Sequence, residues 1–321
     1  MTDATNPGRE AASNGSPRVD SDATIAANPS AKKPKKAVPQ RWLIVVLVLT
    51  FAFVLMPYLF WQATWFGRPL DDAQMAKAFA DTQHPREAQH ALSQIADRME
   101  NANPATRASA KAWYPQVAVM ASSSESALRS TAAWVMGKDP TSPEFHQALM
   151  KLSADEDPMV QRNAALSLVR FGDASGHDLI VSMLKPWVLS SPSAGKLAER
   201  LTANEAVNVG TLVGRIENTG DKVEIRTKMP GTLDLWLVKD GMEVSAGQPI
   251  AQLDPGSDVV LNALAGLYFI GRADDIPTIA PYTRGVPGMP LSVARQAQMT
   301  LNAIHSRPAS VLTPTATPGL H

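Results

Sequence analysis

The sequence predicts a mainly α protein: an N-terminal transmembrane helix, then helical repeats interrupted by a small all-β module. Three observations predict it. From Trp42 to Trp61 the chain runs twenty residues without a charge. Beyond about Asp71 it turns alanine-rich, with apolar residues three or four apart and Pro, Gly or Asp at the breaks. Between Thr211 and Asp254 the period shortens to two, and Pro-Gly and Asp-Gly steps mark turns.

Residues 1–40 mix Asn, Ser, Asp, Pro and Ala and end in a lysine cluster, Lys32, Lys33, Lys35 and Lys36. Such a segment buries too little apolar surface to fold and reads as a disordered cytoplasmic leader. A helix over 41–62 is long enough for a hydrocarbon core of roughly 30 Å. Trp42, Trp61 and Trp65 suit its two interfaces, and Pro57 predicts a late kink. Basic residues precede the run, and Arg68, Asp71 and Asp72 follow it. The expectation is therefore a single-pass protein of the bacterial inner membrane, crossing it through 42–61. The N-terminus is cytoplasmic and the C-terminal bulk periplasmic or extracellular.

Residues 71–200 read as helical repeats. Asp157-Pro158 opens the best-marked helix, with Asp as acceptor for orphan backbone N–H groups and Pro in the first turn. Val160, Ala164, Leu168 and Phe171 form its apolar stripe, Ala165, Leu166 and Val169 widen it, and Gly172 ends it. The pattern returns over 259–306. NAALSLVRFG at 163–172 aligns without a gap with NALAGLYFIG at 262–271, and VQRNAALSL from Val160 matches VARQAQMTL from Val293. One such helix pair cannot bury its own apolar face, so the pairs should stack.

The acidic-Pro start, the spaced Val160 and Arg162, the Ala164-Ala165 pair, Leu166, Leu168 and Gly172 resemble bacterial HEAT-like repeats. That resemblance implies protein binding rather than catalysis. The dipeptide Val-Arg of the family is spaced out here as Val-Gln-Arg.

The β module is expected over 205–258. Leu233, Leu235 and Leu237 should face one way and Trp236 the other. Pro230-Gly231-Thr232, Val238-Lys239-Asp240-Gly241, Val244, Ala246-Gly247-Gln248 and Pro249 to Leu253 resemble the barrel-sandwich hybrid fold of biotinyl and lipoyl domains and of periplasmic adaptors. In a carrier domain that resemblance implies a modified lysine on a hairpin after the motif's last strand. No lysine follows Gln248, so no cofactor is expected. Residues 307–321, rich in Pro and Thr, read as a disordered tail.

Composition narrows the function. Thirty basic and thirty acidic residues balance, which argues against a nucleic-acid partner. There is no cysteine, hence no disulfide or thiolate chemistry, and the six histidines lack metal-ligand spacing. Each histidine reads as a surface polar residue, and Asp274-Asp275 as a helix cap. No nucleophile elbow, Walker loop or dinucleotide fingerprint is present. No catalytic, cofactor-binding or metal residue is assigned. The candidate partner contacts are Trp113, Tyr114, Trp187 and Trp236, because large rings often dominate interface energy. The expectation is a non-catalytic, membrane-anchored scaffold or accessory protein that binds an envelope or membrane protein. A periplasmic adaptor of an export system and a membrane-tethered enzyme with an unrecognised site are the alternatives.

Overall fold

A computed structural model describes residues 40–63, 69–218 and 220–307, with side chains in the first helix given for 41, 42 and 44–58. The leader (1–39) and the tail (308–321) lie outside the described residues, as do Trp65 and Arg68. The chain divides into two units, Met1–Leu59 and Phe60–His321.

The first described helix, α1 (Gln40–Ala63), is apolar and contains Pro57. The expectation of a transmembrane helix over 41–62 is corrected here, and with it the single-pass and inner-membrane readings. Among the described residues no helix is long and apolar enough to cross a membrane.

The second unit is a helical stack carrying a two-sheet module. Its helices are α2 (Asp72–Ala80), α3 (Pro85–Met99), α4 (Pro104–Ala110), α5 (Tyr114–Met120), α6 (Ser126–Met136), α7 (Pro143–Leu152), α8 (Pro158–Arg170) and α9 (His177–Ser182). After the strands come α10 (Ser257–Ile270), α11 (Ile276–Thr283) and α12 (Leu291–His305). Local chemistry sets several starts. Asp71 and Gln74 close a capping box on α2, and Asp157 accepts the N–H of Met159 at 2.8 Å with Pro158 next, as the sequence predicts for α8. Gly172 ends the turn after α8 at φ +72°, a backbone state that side chains with a Cβ rarely adopt.

The helices α3, α6, α8, α10 and α12 pack in succession and form one ladder. Small residues bring them close. A Cβ on Gly137 would sit 2.5 Å from Ser167 Oγ, and Gly266 faces Ile180 and Leu166. A buried hydroxyl repeats at two rungs. Ser167 Oγ donates to the Ala133 carbonyl at 2.8 Å, and Thr300 Oγ1 donates to the Leu264 carbonyl at 2.8 Å. Ser167 and Thr300 occupy matching places in the aligned segments from Val160 and Val293.

α8 has two working faces. Val160, Ala164 and Leu168 enter the core built by α2 to α7, while Ala165, Leu166 and Val169 enter the core of α9 to α12. The residues read as widening one stripe are thus the second face.

Eight strands lie between α9 and α10: β1 (Trp187–Ser190), β2 (Gly195–Glu199), β3 (Ala206–Val207), β4 (Leu212–Glu217), β5 (Lys222–Arg226), β6 (Gly231–Trp236), β7 (Glu243–Val244) and β8 (Pro249–Pro255). They form two antiparallel sheets, ordered β1-β8-β6-β3 and β5-β4-β2-β7. Strand structure thus starts at Trp187, inside the stretch read as helical repeat. The leucine alternation expected in β6 also fails. Leu233 is buried, Leu235 and Leu237 are exposed, and a register shift between Leu233 and Leu235 resets which face each side chain meets.

The two sheets are copies of each other. Raising each strand number by four maps one order onto the other, and the hydrogen bonds agree. Gly210 N donates to Thr227 O and Gly247 N to Ser191 O, each at 2.8 Å. Asn204 N donates to Leu233 O at 2.7 Å and Gly241 N to Leu197 O at 2.8 Å. Gly195 and Gly231 also correspond, and a Cβ at either would meet a backbone carbonyl, of Glu217 or of Asp254. The inner side chains Leu197, Val213, Ile216, Leu233, Ile250 and Leu253 fill one core.

The entering strand β1 pairs antiparallel with the leaving strand β8, Trp187 opposite Leu253. The module therefore begins and ends side by side, and α8, α9 and α10 remain packed together around it.

Candidate functional site

The four candidate contact aromatics are half-buried and distributed over the unit rather than gathered. Trp113, in the 3-10 turn Lys111–Trp113, packs on Phe79 with ring centroids 5.8 Å apart. Tyr114 stacks on Phe145 at 4.4 Å, and its hydroxyl donates to Asp139 Oδ2 at 2.6 Å. Burial, reinforced by that carboxylate, pushes the phenol well above its ordinary value. Trp236 packs on the strand core, and its indole N–H donates to Leu201 O at 3.0 Å. Trp187 lines an open groove. Trp134 is 41% exposed and carries Lys138 Nζ 4.4 Å above its ring.

Two grooves are prominent. One, of about 290 Å³, runs between the edge strands β1 and β5 and is lined by Trp187, Val188, Glu224, Arg226 and Lys228, among others. These strands are mates in the internal symmetry, and each ends its sheet. The other, of about 370 Å³, lies on α3 and α6 and is lined by Arg86, Gln89, His90, Ser93 and Thr131. Gln89 Nε2 donates to Thr131 Oγ1 across it at 3.1 Å, which ties the two helices together.

Three polar clusters serve the stack. Arg129, 9% exposed, has every face of its guanidinium occupied. Nε donates to Asp155 Oδ2 at 2.7 Å, Nη2 to Asp155 Oδ1 at 2.8 Å, and Nη1 to the carbonyls of Ser123 and Ser124 at 2.9 and 3.0 Å. The bond from Arg129 holds the Asp155 carboxyl below its ordinary range. Arg162, 7% exposed, stands one residue further round the next ladder helix and makes no hydrogen bond or ion pair within the described residues. Burial pushes its guanidinium down to about 10.

The third cluster overturns the surface reading for one histidine, His177. His177 is 6% exposed and Asp275 4%. His177 Nε2 meets Asp275 Oδ2 and its Nδ1 meets Asp178 Oδ1, both at 2.8 Å. Ionised carboxylates only accept, so both ring nitrogens carry protons and the residue is an imidazolium. The bond to Asp275 raises its pKa against the opposing effect of burial, and Asp178 adds to the rise. Burial would raise Asp275, but its bonds from His177 and from the Arg272 N–H outweigh that and leave it lowered. Asp275 is thus a cap, as expected, and also a tether to α9. Its partner is 98 positions away in sequence, which no local pattern reveals.

Among the described residues no group of His, Asp and Glu is arranged to hold a metal ion. The carrier-type resemblance put its lysine beyond the last strand. In the structure β8 runs straight into α10 through Gly256. The symmetry-related hairpin instead joins β4 to β5, where Lys222 pairs with Glu217 at 2.9 Å.

No protein-family model matches the chain, and no curated protein does. Among solved structures it is similar to a single-chain, multi-domain long-chain acyl-CoA carboxylase, at 16% identity and a TM-score of 0.22. That likeness covers 36% of this chain and 12% of the other, and carries no argument about fold or activity.

Proposed function

We propose that this chain is a non-catalytic scaffold that holds another protein along its helical ladder. One observation carries the reading. Five helices repeat the same side-by-side packing, and an open groove lies on two of them, α3 and α6. Such a surface suits a chain-sized partner, since small-molecule sites enclose most of their ligand. The resemblance of 157–172 to HEAT-like repeats supports it, as does that of 230–253 to the barrel-sandwich module of adaptor proteins.

The test is crosslinking of the full-length protein in its native cells, then identification of the proteins recovered with it. Thr131→Arg fills the groove on α3 and α6, and Val188→Arg fills the groove between β1 and β5. Loss of a specific partner in either variant, with an unchanged circular dichroism spectrum, supports the scaffold. Unchanged recovery in both, or turnover of a small molecule by the purified protein, contradicts it.

A further inference from the structure

Arg162 lies on the same face of α8 as Ala165, Leu166 and Val169, in the i, i+3, i+4, i+7 series that looks toward α9 and α10. The comparison with α6 explains why it is unpaired. Aligning the Ala132-Ala133 and Ala164-Ala165 pairs puts Gln161, not Arg162, at the position of Arg129. Gln161 fills that role by donating to the Asp155 carbonyl at 2.6 Å. The inserted residue turns the arginine by about 100° on the helix, away from Asp155. Arg295, at the matching place in the last ladder helix, is less deeply covered. Arg162 is therefore covered by the helices C-terminal to α8 and receives no acceptor from them in return.

A buried guanidinium without acceptors is costly, and proteins ordinarily pair it. Its nitrogens are not sealed in. The buried side-chain polar atoms without a partner, among the described residues, are Ser193 Oγ and Arg272 Nε. The Arg162 donors thus keep a narrow contact with solvent. The planar fork suits a carboxylate bidentately, as Asp155 shows on Arg129.

We infer that Arg162 is a carboxylate seat, and that its occupant is an Asp or Glu side chain on an exposed loop of the protein this scaffold holds. The identity of the occupant rests on the scaffold reading; the seat itself does not.

The test monitors the Nε–H resonance of Arg162 in the full-length chain, assigned by its loss in R162Q. Sodium acetate is titrated against sodium chloride at equal ionic strength. A saturable shift with acetate and none with chloride is expected. No shift with acetate, or a shift with inorganic phosphate alone, overturns the seat. In the crosslinking experiment R162Q is expected to lower partner recovery by about tenfold or more. Unchanged recovery overturns the protein-borne occupant. If wild type recovers no partner while acetate still shifts the resonance, the scaffold reading and the protein-borne occupant fall together and the seat stands. R162M guards against misfolding. It should melt at or above the wild-type temperature, and a fall of more than about 5 °C shows a structural arginine and overturns the proposal.

Discussion

The junction of α6 with α8 and that of α8 with α10 solve the same packing problem with different chemistry. At the first, polar bonds come from the connection between α7 and α8, where Asp155 serves Arg129 from nearby in sequence. At the second, that connection has become a module of eight strands. The bonds there come from far along the chain. Asp275 reaches His177, and Tyr282 Oη donates to Leu184 O at 2.7 Å, both across 98 positions. An insertion whose ends pair side by side leaves the apolar ladder intact. The local acceptors are replaced by distant ones, and Arg162 is left without any.

The largest effect should come from breaking the local pair. Arg129→Met leaves Asp155 without its cation and should destabilise by about 3 kcal/mol in chemical denaturation. Arg162→Met should be neutral or stabilising by about 1 kcal/mol in the same measurement. Equal losses in both would erase the contrast.

The distant tether comes next. His177→Leu should cost about 2 kcal/mol near neutral pH, because Asp275 stays buried without its partner. The sign with pH comes from the raised pKa of His177. Its contribution is complete below the unfolded value of about 6.5 and is lost as pH rises through the folded one. The gap between wild type and variant should therefore shrink in alkaline solution. Asp275, lowered, gives a contribution that is lost as pH falls from about 3.9 through its folded value. A gap that grew with rising pH would show that His177 is not the imidazolium described.

The smallest effects test whether the rungs are equivalent. Ser167→Ala and Thr300→Val each remove one buried hydroxyl bond and should each cost about 1 kcal/mol. Tyr282→Phe should cost about the same. A much larger loss at Ser167 than at Thr300 would mean that the two junctions do not share one design.

Much of the stack was legible in the sequence. Asp157-Pro158 and Gly172 bound α8 by local capping chemistry, which acts over a few residues. The two faces of α8 were not legible, because periodicity shows an apolar stripe and not how many neighbours share it. The opening of the β module, 187–204, was also missed. Its signal was a self-match at a spacing of 36–37 residues, with Gly195 against Gly231, Leu197 against Leu233 and Gly210 against Gly247. The alternation in β6 misled because a register shift leaves no mark in composition. Of the candidate contacts, Trp113, Tyr114 and Trp236 are tied into their own units by ring packing or hydrogen bonds. Arg162 entered the reading only as part of a repeat signature. What sets it apart is the missing acceptor, a property of the folded neighbourhood.

The ladder is one body carrying an inserted module. Excising residues 187–255 and joining Pro186 to Gly256 tests it most directly, read by far-ultraviolet circular dichroism and thermal melting. A folded helical protein with a single cooperative transition is expected. Loss of helix, or separate melting of the α2–α7 and α9–α12 cores, would contradict it.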